Sequence, residues 1–111
     1  MAVAHVVAVG AIGEQLVAAL AERIPGVKVG DGLDPESQMG PLVTREHLER
    51  VASYIDRGRE QGATVVVDGR KSAPPGDGFF IAPSLLDLVS TDNVAYKDEI
   101  FGPLLGVSRV A

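Results

Sequence analysis

The chain has no cysteine and no tryptophan, and only two histidines, two tyrosines and three phenylalanines among its 111 residues. Disulfides and thiolate metal sites are therefore excluded, and two histidines alone make a poor basis for structural zinc. Basic charge is also short: ten Lys and Arg face fifteen Asp and Glu, a formal charge of −5. The cations are scattered, with no cluster to neutralise a run of phosphates, so a nucleic-acid partner is not expected. Long apolar runs are missing as well. The segment Met1 to Ile12 is interrupted by His5 and Gly10, and it falls short of the roughly 20 residues a bilayer span needs. It also lacks a basic leader, since Arg23 is the first cation. Neither a membrane helix nor a signal peptide fits, no membrane partner is expected, and the cytoplasm is the expected location.

What remains is a composition typical of a folded protein: 46% hydrophobic and 23% charged, the apolar share carried by Val, Ala and Leu. A chain of this size forms one unit with a modest core, burying about 65% of its unfolded surface if it folds alone. Residues 1–111 are accordingly read as a single segment.

The segment Val3 to Val9 is rich in β-branched residues and reads as a buried strand, although its alanines leave a helix open. Ile12, Leu16, Val17, Leu20 and Ile24 then fall on one face of an amphipathic helix that Pro25-Gly26 ends. Val27 to Gly40 is an ordered, turn-rich connector closed by Met39-Gly40-Pro41. Thr44 caps a second helix with an apolar face of Leu48, Val51, Ala52 and Ile55, and Glu46 is spaced for an exposed ion pair with Arg50. That helix should finish near Gly58 or Gly62. Thr64 to Val67 reads as a strand stopping at Asp68-Gly69, and Arg70 to Gly78 as a surface excursion. Phe79 to Ile81 and Leu85 to Val89 read as extended segments bent at Pro83, and Leu104 to Val110 as a final strand. The expected fold class is α/β, with helices packed on a largely parallel sheet. The first apolar segment and the final strand are expected to present unpaired edges.

Three stretches invite a chemical reading. Ala8-Val9-Gly10-Ala11-Ile12-Gly13 follows an apolar segment and opens a helix, as a dinucleotide-binding turn would. However, Ala8 stands where the first glycine belongs, and the acidic candidates Asp31 and Asp34 lie in a loop after Pro25. Gly10 and Gly13 bounding a helix start is the simpler account. Gly30-Asp31-Gly32-Leu33-Asp34-Pro35 lacks the Lys and Ser or Thr of a phosphate loop and the spaced oxygens of a calcium loop, so a turn-rich connector accounts for it.

The third stretch is Asp98-Glu99-Ile100-Phe101-Gly102-Pro103. A carboxylate accepts hydrogen bonds from both hydroxyls of a ribose diol, and an aromatic two residues on, along an extended chain, faces the same ligand. Read by itself, the hexamer fits equally well an acidic turn entering a strand with Phe101 in the core. A lone histidine such as His47, on the first turn of the second helix, is most simply a surface residue.

The hexamer resembles the E-E-I-F-G-P cofactor-ribose motif of the aldehyde dehydrogenase superfamily, and the resemblance extends along the whole chain. Lys28-Val29-Gly30 through Asp34-Pro35, then Met39-Gly40-Pro41-Leu42-Val43-Thr44, is similar to a family connector. Arg50-Val51, Tyr54-Ile55, Gly58, Glu60 through Ala63 and Val67 through Arg70 resemble the helix and strand that follow. Gly78-Phe79-Phe80 through Pro83-Ser84-Leu85 resembles a family strand, with Ser84 for the usual threonine. Within the superfamily the chain is most similar to the CoA-acylating branch that acts on methylmalonate or malonate semialdehyde.

The resemblance implies a partial aldehyde dehydrogenase catalytic domain that begins just after the family's nucleophilic cysteine, which precedes a Met-Ala pair like Met1-Ala2. For the intact enzyme it implies NAD as cofactor, coenzyme A as co-substrate, a small aldehyde as substrate and homo-oligomeric assembly. Glu99 would hold the nicotinamide-ribose hydroxyls and Phe101 would pack against ribose and ring. His47 aligns near a position where some members contact the cofactor with an amide. No catalytic residue is implied within the chain, which is expected to be inactive alone and to bind cofactor very weakly. The competing account is a free-standing dinucleotide-binding or scaffold module built on Gly10 and Gly13, without catalysis.

Overall fold

A computed structural model describes residues 2–111. Strand β1 (His5–Val9) leads through a tight turn into helix α1 (Ile12–Arg23), which tightens into a 3-10 turn at Ile24–Gly26. Helix α2 (Arg45–Glu60) precedes strand β2 (Thr64–Val67). Strand β3 (Ser84–Asp87), the short helix α3 (Val94–Lys97) and strand β4 (Leu104–Val110) complete the chain. The strands form one sheet in the order β1-β4-β3-β2, parallel between β1 and β4 and between β4 and β3, antiparallel between β3 and β2. The expected α/β class and largely parallel sheet are what the structure has.

The register explains how the core divides. Leu85 and Leu86 are adjacent on β3, pair with Leu105 and Gly106 of β4, and point to opposite faces because side chains alternate along a strand. On one face Leu85 joins Ala8, Val17 and Val107 under α1. On the other, Leu86 joins Val51, Tyr54 and Ile55 of α2 with Ile100 and Leu104. The sheet is thus sandwiched between two helices, and β3 is buried along its whole length. Burying each of these large aliphatic side chains stabilises the fold by about 1.5–3 kcal/mol. Asp87, at the end of β3, is 5% exposed and is neutralised by a bidentate pair with Arg109 of β4, as a buried carboxylate must be.

Several expectations need correction. β4 is an interior strand, flanked on both sides, so the unpaired edges belong to β1, as expected, and to β2. Phe79 to Ile81 joins no strand: the Phe79 carbonyl accepts from the Leu42 amide, at 2.8 Å, and the chain enters the sheet only at Ser84. Arg70 does not begin a free excursion. It lies in a 3-10 turn (Gly69–Ser72) and pairs with Asp56 and Asp68, which hold both carboxyls below their usual range mainly through hydrogen bonds from its guanidinium. Ile12 is 53% exposed, so the buried stripe of α1 starts one turn later. Thr44 caps α2 as expected, its hydroxyl accepting from the His47 amide at 3.1 Å.

A side-chain contact adds to the backbone ladder that ties β1 to β4. The Ser108 hydroxyl donates to the Val89 carbonyl, which leaves its oxygen to accept from Nε2–H of His5 at 2.8 Å. Nδ1 of His5 is then an unprotonated acceptor, buried and without a partner. The ring packs edge-on against Tyr96, 4.9 Å between centroids. No helix among the described residues is long and apolar enough to cross a membrane.

Candidate functional site

Two short-range devices bring the Asp98–Pro103 turn to the surface of α2. Asn93, fully buried, caps α3 by accepting from the Ala95 amide and donates its own amide to the Gly58 carbonyl, so α3 is pinned to the end of α2. Gly102 then lets the chain pass directly over Val51: a Cβ there would sit 2.5 Å from Val51 Cγ2. Ile100, 4% exposed, anchors the turn in the α2 core cluster.

Between these anchors, α2 grips the main chain. Arg50 donates to the carbonyls of Glu99 (2.9 Å) and Ile100 (2.8 Å), and its Nη2 also reaches the Tyr54 hydroxyl at 3.1 Å. Nε2–H of His47 donates to the next carbonyl, that of Phe101, at 2.6 Å. The expected ion pair of Arg50 with Glu46 is absent among the described residues, because the guanidinium is spent on carbonyls, which form a fixed target at the other end of its reach. The Tyr54 hydroxyl in turn donates to Asp98 Oδ2 at 2.7 Å. Burial first, and that bond to Asp98 second, push the Tyr54 phenol above its ordinary range.

Three successive carbonyls turned toward one helix cannot belong to an extended strand, in which they alternate. Phe101 accordingly has φ +58°, a left-handed conformation that a bulky residue adopts only where its surroundings impose it. The extended-chain geometry expected for residues 99 to 101 is therefore wrong. The outcome for the ring is clear all the same: Phe101 is 78% exposed, not in the core. Glu99 is exposed too, and among the described residues its carboxylate takes part in no hydrogen bond or ion pair.

Glu99 and Phe101 thus come together on one exposed turn. His47 is brought to the same turn, yet its bonding nitrogen is occupied by the Phe101 carbonyl, so it braces the backbone where a free ligand donor was expected. Sequence reasoning missed Arg50 and Tyr54 as parts of the site and gave Asp98, within the candidate stretch, no role of its own. The spacing of His47, Arg50 and Tyr54, three and four apart on one helix face, was the available signal.

Beside the turn lies a mainly apolar cavity of about 270 Å³, whose walls include Ala2, Val3, Ile24, Gly102 and Pro103. A larger cavity, about 460 Å³, lies against β2; of its charged walls, Arg59 and Asp68 are paired with Asp56 and Arg70, and Lys71 takes part in no ion pair among the described residues. Neither of these cavities is lined by the Gly10–Gly13 turn. Gly10 has φ +70° and donates to the Val110 carbonyl, whereas a Cβ on Gly13 would lie 3.2 Å from the Arg109 side chain. Asp31 and Asp34 cap turns in their own loop, accepting from the amides of Leu33 and Glu36.

Comparison with known proteins agrees along the whole chain. It is 43% identical over 112 residues to malonate-semialdehyde dehydrogenase 1 of Geobacillus thermodenitrificans, covering 100% of this chain and 23% of that protein. Its structure superposes on methylmalonate-semialdehyde dehydrogenase from Oceanimonas doudoroffii with a TM-score of 0.92 at 44% identity, over 96% of this chain and 22% of the other. An aldehyde dehydrogenase from Bacillus cereus, solved as its NAD+ complex, superposes with a TM-score of 0.88 at 36% identity, over 96% and 21% of the two chains. The chain thus spans less than a quarter of the length of these relatives. The family model described as the aldehyde dehydrogenase family matches residues 1–111, and on these matches the chain belongs to that family.

Proposed function

We propose that the Asp98–Pro103 turn is the ribose-holding wall of an NAD-dependent semialdehyde dehydrogenase, with Glu99 and Phe101 as its ligand-facing side chains. The observation that carries this reading is the exposed Phe101 ring, held at a left-handed φ beside an unpartnered carboxylate. An aromatic presented to water forgoes burial energy that a covering ligand restores, and holding it there at a left-handed φ costs backbone energy as well.

The residues present fit such a group. The free Glu99 carboxylate has the lone pairs to accept from both hydroxyls of a ribose, and Asp98 does not compete, because the Tyr54 hydroxyl already holds it. Phe101 offers a flat apolar face to a sugar and its attached ring. Bound there, the nicotinamide supplies the hydride acceptor for aldehyde oxidation. The part of this chain is to bind, orient and exclude water. His47 keeps the Phe101 backbone in place through its bond to the carbonyl. The chain holds no thiol, so the nucleophile in this reading belongs to the rest of a longer polypeptide, and these residues alone turn over no aldehyde. Methylmalonate or malonate semialdehyde as substrate, and coenzyme A as acyl acceptor, rest on likeness to proteins bearing those substrate names.

The test is a titration of the isotope-labelled chain with NAD, followed residue by residue by nuclear magnetic resonance. Shifts centred on residues 98–103, lost in Glu99→Gln, are the expected result. Shifts centred on Gly10–Gly13 would instead favour the dinucleotide-turn module, and no shifts at either turn would sink both.

A further inference from the structure

The donors of Arg50 are directed at main-chain carbonyls although two carboxylates, Asp98 and Glu99, lie in the same turn. An arginine this close to paired acids ordinarily forks onto one of them. Here the fork spans the Glu99 and Ile100 carbonyls, the guanidinium stacks on the Tyr54 ring at 5.2 Å, and the Tyr54 hydroxyl takes Asp98. The result sorts two adjacent carboxylates: one is engaged by a buried phenol, the other is left free at the surface. Arg57, 5.3 Å from the same ring, covers Tyr54 as well.

We infer that Arg50 is a positioning residue for the ligand site, shaping the turn so that Glu99 stays unpaired and outward while Phe101 is held in its left-handed conformation. The inference rests on the ribose reading above and extends it to a residue expected only to make a surface ion pair. Its physical basis is geometric. A planar guanidinium reaches two successive carbonyls at once, whereas a lysine ammonium is a single point. Without the fork, carbonyls 99 and 100 have no partner on the α2 side, and the peptide planes are free to rotate. Phe101 then relaxes toward negative φ, and the outward presentation of Glu99 goes with it.

The experiment uses the full 111-residue chain and nicotinamide mononucleotide, which carries the ribose and the nicotinamide without the adenosine half. Wild type, Arg50→Met and Arg50→Lys are compared by amide spectra, with affinity read from shifts at Glu99 and Phe101. The expected result is a dispersed, folded spectrum for the variants with affinity weakened at least about tenfold, the effect of losing one charge-assisted hydrogen bond. Folded variants that bind as wild type does would overturn the inference and leave the ribose reading standing. A wild-type chain that shows no shift would overturn that reading and the inference with it. Should Arg50→Met lose its dispersed spectrum, Arg50→Lys decides: weakened binding in a folded chain supports the fork, and undiminished binding removes it.

Discussion

The turn at Gly10–Gly13 and the turn at Asp98–Pro103 both lead between a strand and a helix through glycine, and they are held in different ways. At the first, Gly10 donates to the Val110 carbonyl of β4, and the side of Gly13 is filled by Arg109 and Ala8. At the second, three carbonyls are held by two side chains of α2, and Glu99 and Phe101 point out into water on either side of the buried Ile100. In the first turn Gly10 supplies a positive φ and Gly13 a close approach to Arg109; in the second Gly102 supplies a close approach to Val51, and the backbone it allows presents two free side chains. A glycine-rich pattern therefore does not identify a ligand site; what marks one is a rigid backbone carrying unsatisfied side chains.

The contrast is broken most strongly at Gly102. Replacing it with alanine drives a methyl into Val51, and overpacking of this kind costs about 1–3 kcal/mol. Urea denaturation should show that loss, and nucleotide shifts at residues 98–103 should vanish with it. Glu99→Gln should leave stability within about 0.5 kcal/mol, as exposed substitutions do, while weakening NAD by roughly ten- to a hundredfold through loss of charge-assisted hydrogen bonds.

Gly13→Val sharpens the contrast from the other side. It crowds Arg109 and loosens its grip on the buried Asp87, so a loss of about 1 kcal/mol is expected, with ligand shifts at the Asp98–Pro103 turn unchanged. Equal loss of binding in Gly13→Val and Glu99→Gln would erase the distinction.

The smallest effect is on pH dependence in the β1 half. Burial holds the His5 imidazole below its ordinary 6.5, and its contacts are Ser108, Tyr96 and the Gly106 backbone, with no carboxylate among them. As pH falls below 6.5 the unfolded chain takes up a proton that the folded chain resists, so stability declines there. Denaturation midpoints at pH 7.5 and pH 5.5 should differ in wild type and converge in His5→Phe, which keeps the edge contact with Tyr96 and removes the orphan nitrogen. The carboxyls of Asp56 and Asp68 are also depressed, so their contribution is present above 3.8 and is lost only in a separate, more acid window.

Much of the fold was legible because local rules were obeyed. The apolar spacing on α2, the Thr44 cap and the bounds of β4 were all readable from neighbouring residues alone. The segment Phe79 to Ile81 misled because aromatic, β-branched composition matches a strand whether or not a partner is available, and its hydrogen bond went to a loop. α3 escaped notice because a single helical turn has no periodicity. It is set by the Asn93 cap and by Gly58, 35 residues earlier. At the site, Glu99 and Phe101 were legible through family likeness, whereas the clamp that presents them was not: a guanidinium finding carbonyls 49 and 50 residues away leaves no local trace.

From its order of residues alone, then, the chain is committed to helices with one apolar face each, to short apolar strands, to an acidic, cysteine-free composition and to its family. These follow from side-chain chemistry at short range, which no later packing can rewrite. Tertiary structure decided which strand lies inside the sheet, which of two neighbouring carboxylates stays free, and whether an aromatic is core or surface. Those outcomes depend on where distant donors and van der Waals surfaces meet, and that is settled only when α2 and the Asp98–Pro103 turn close on one another.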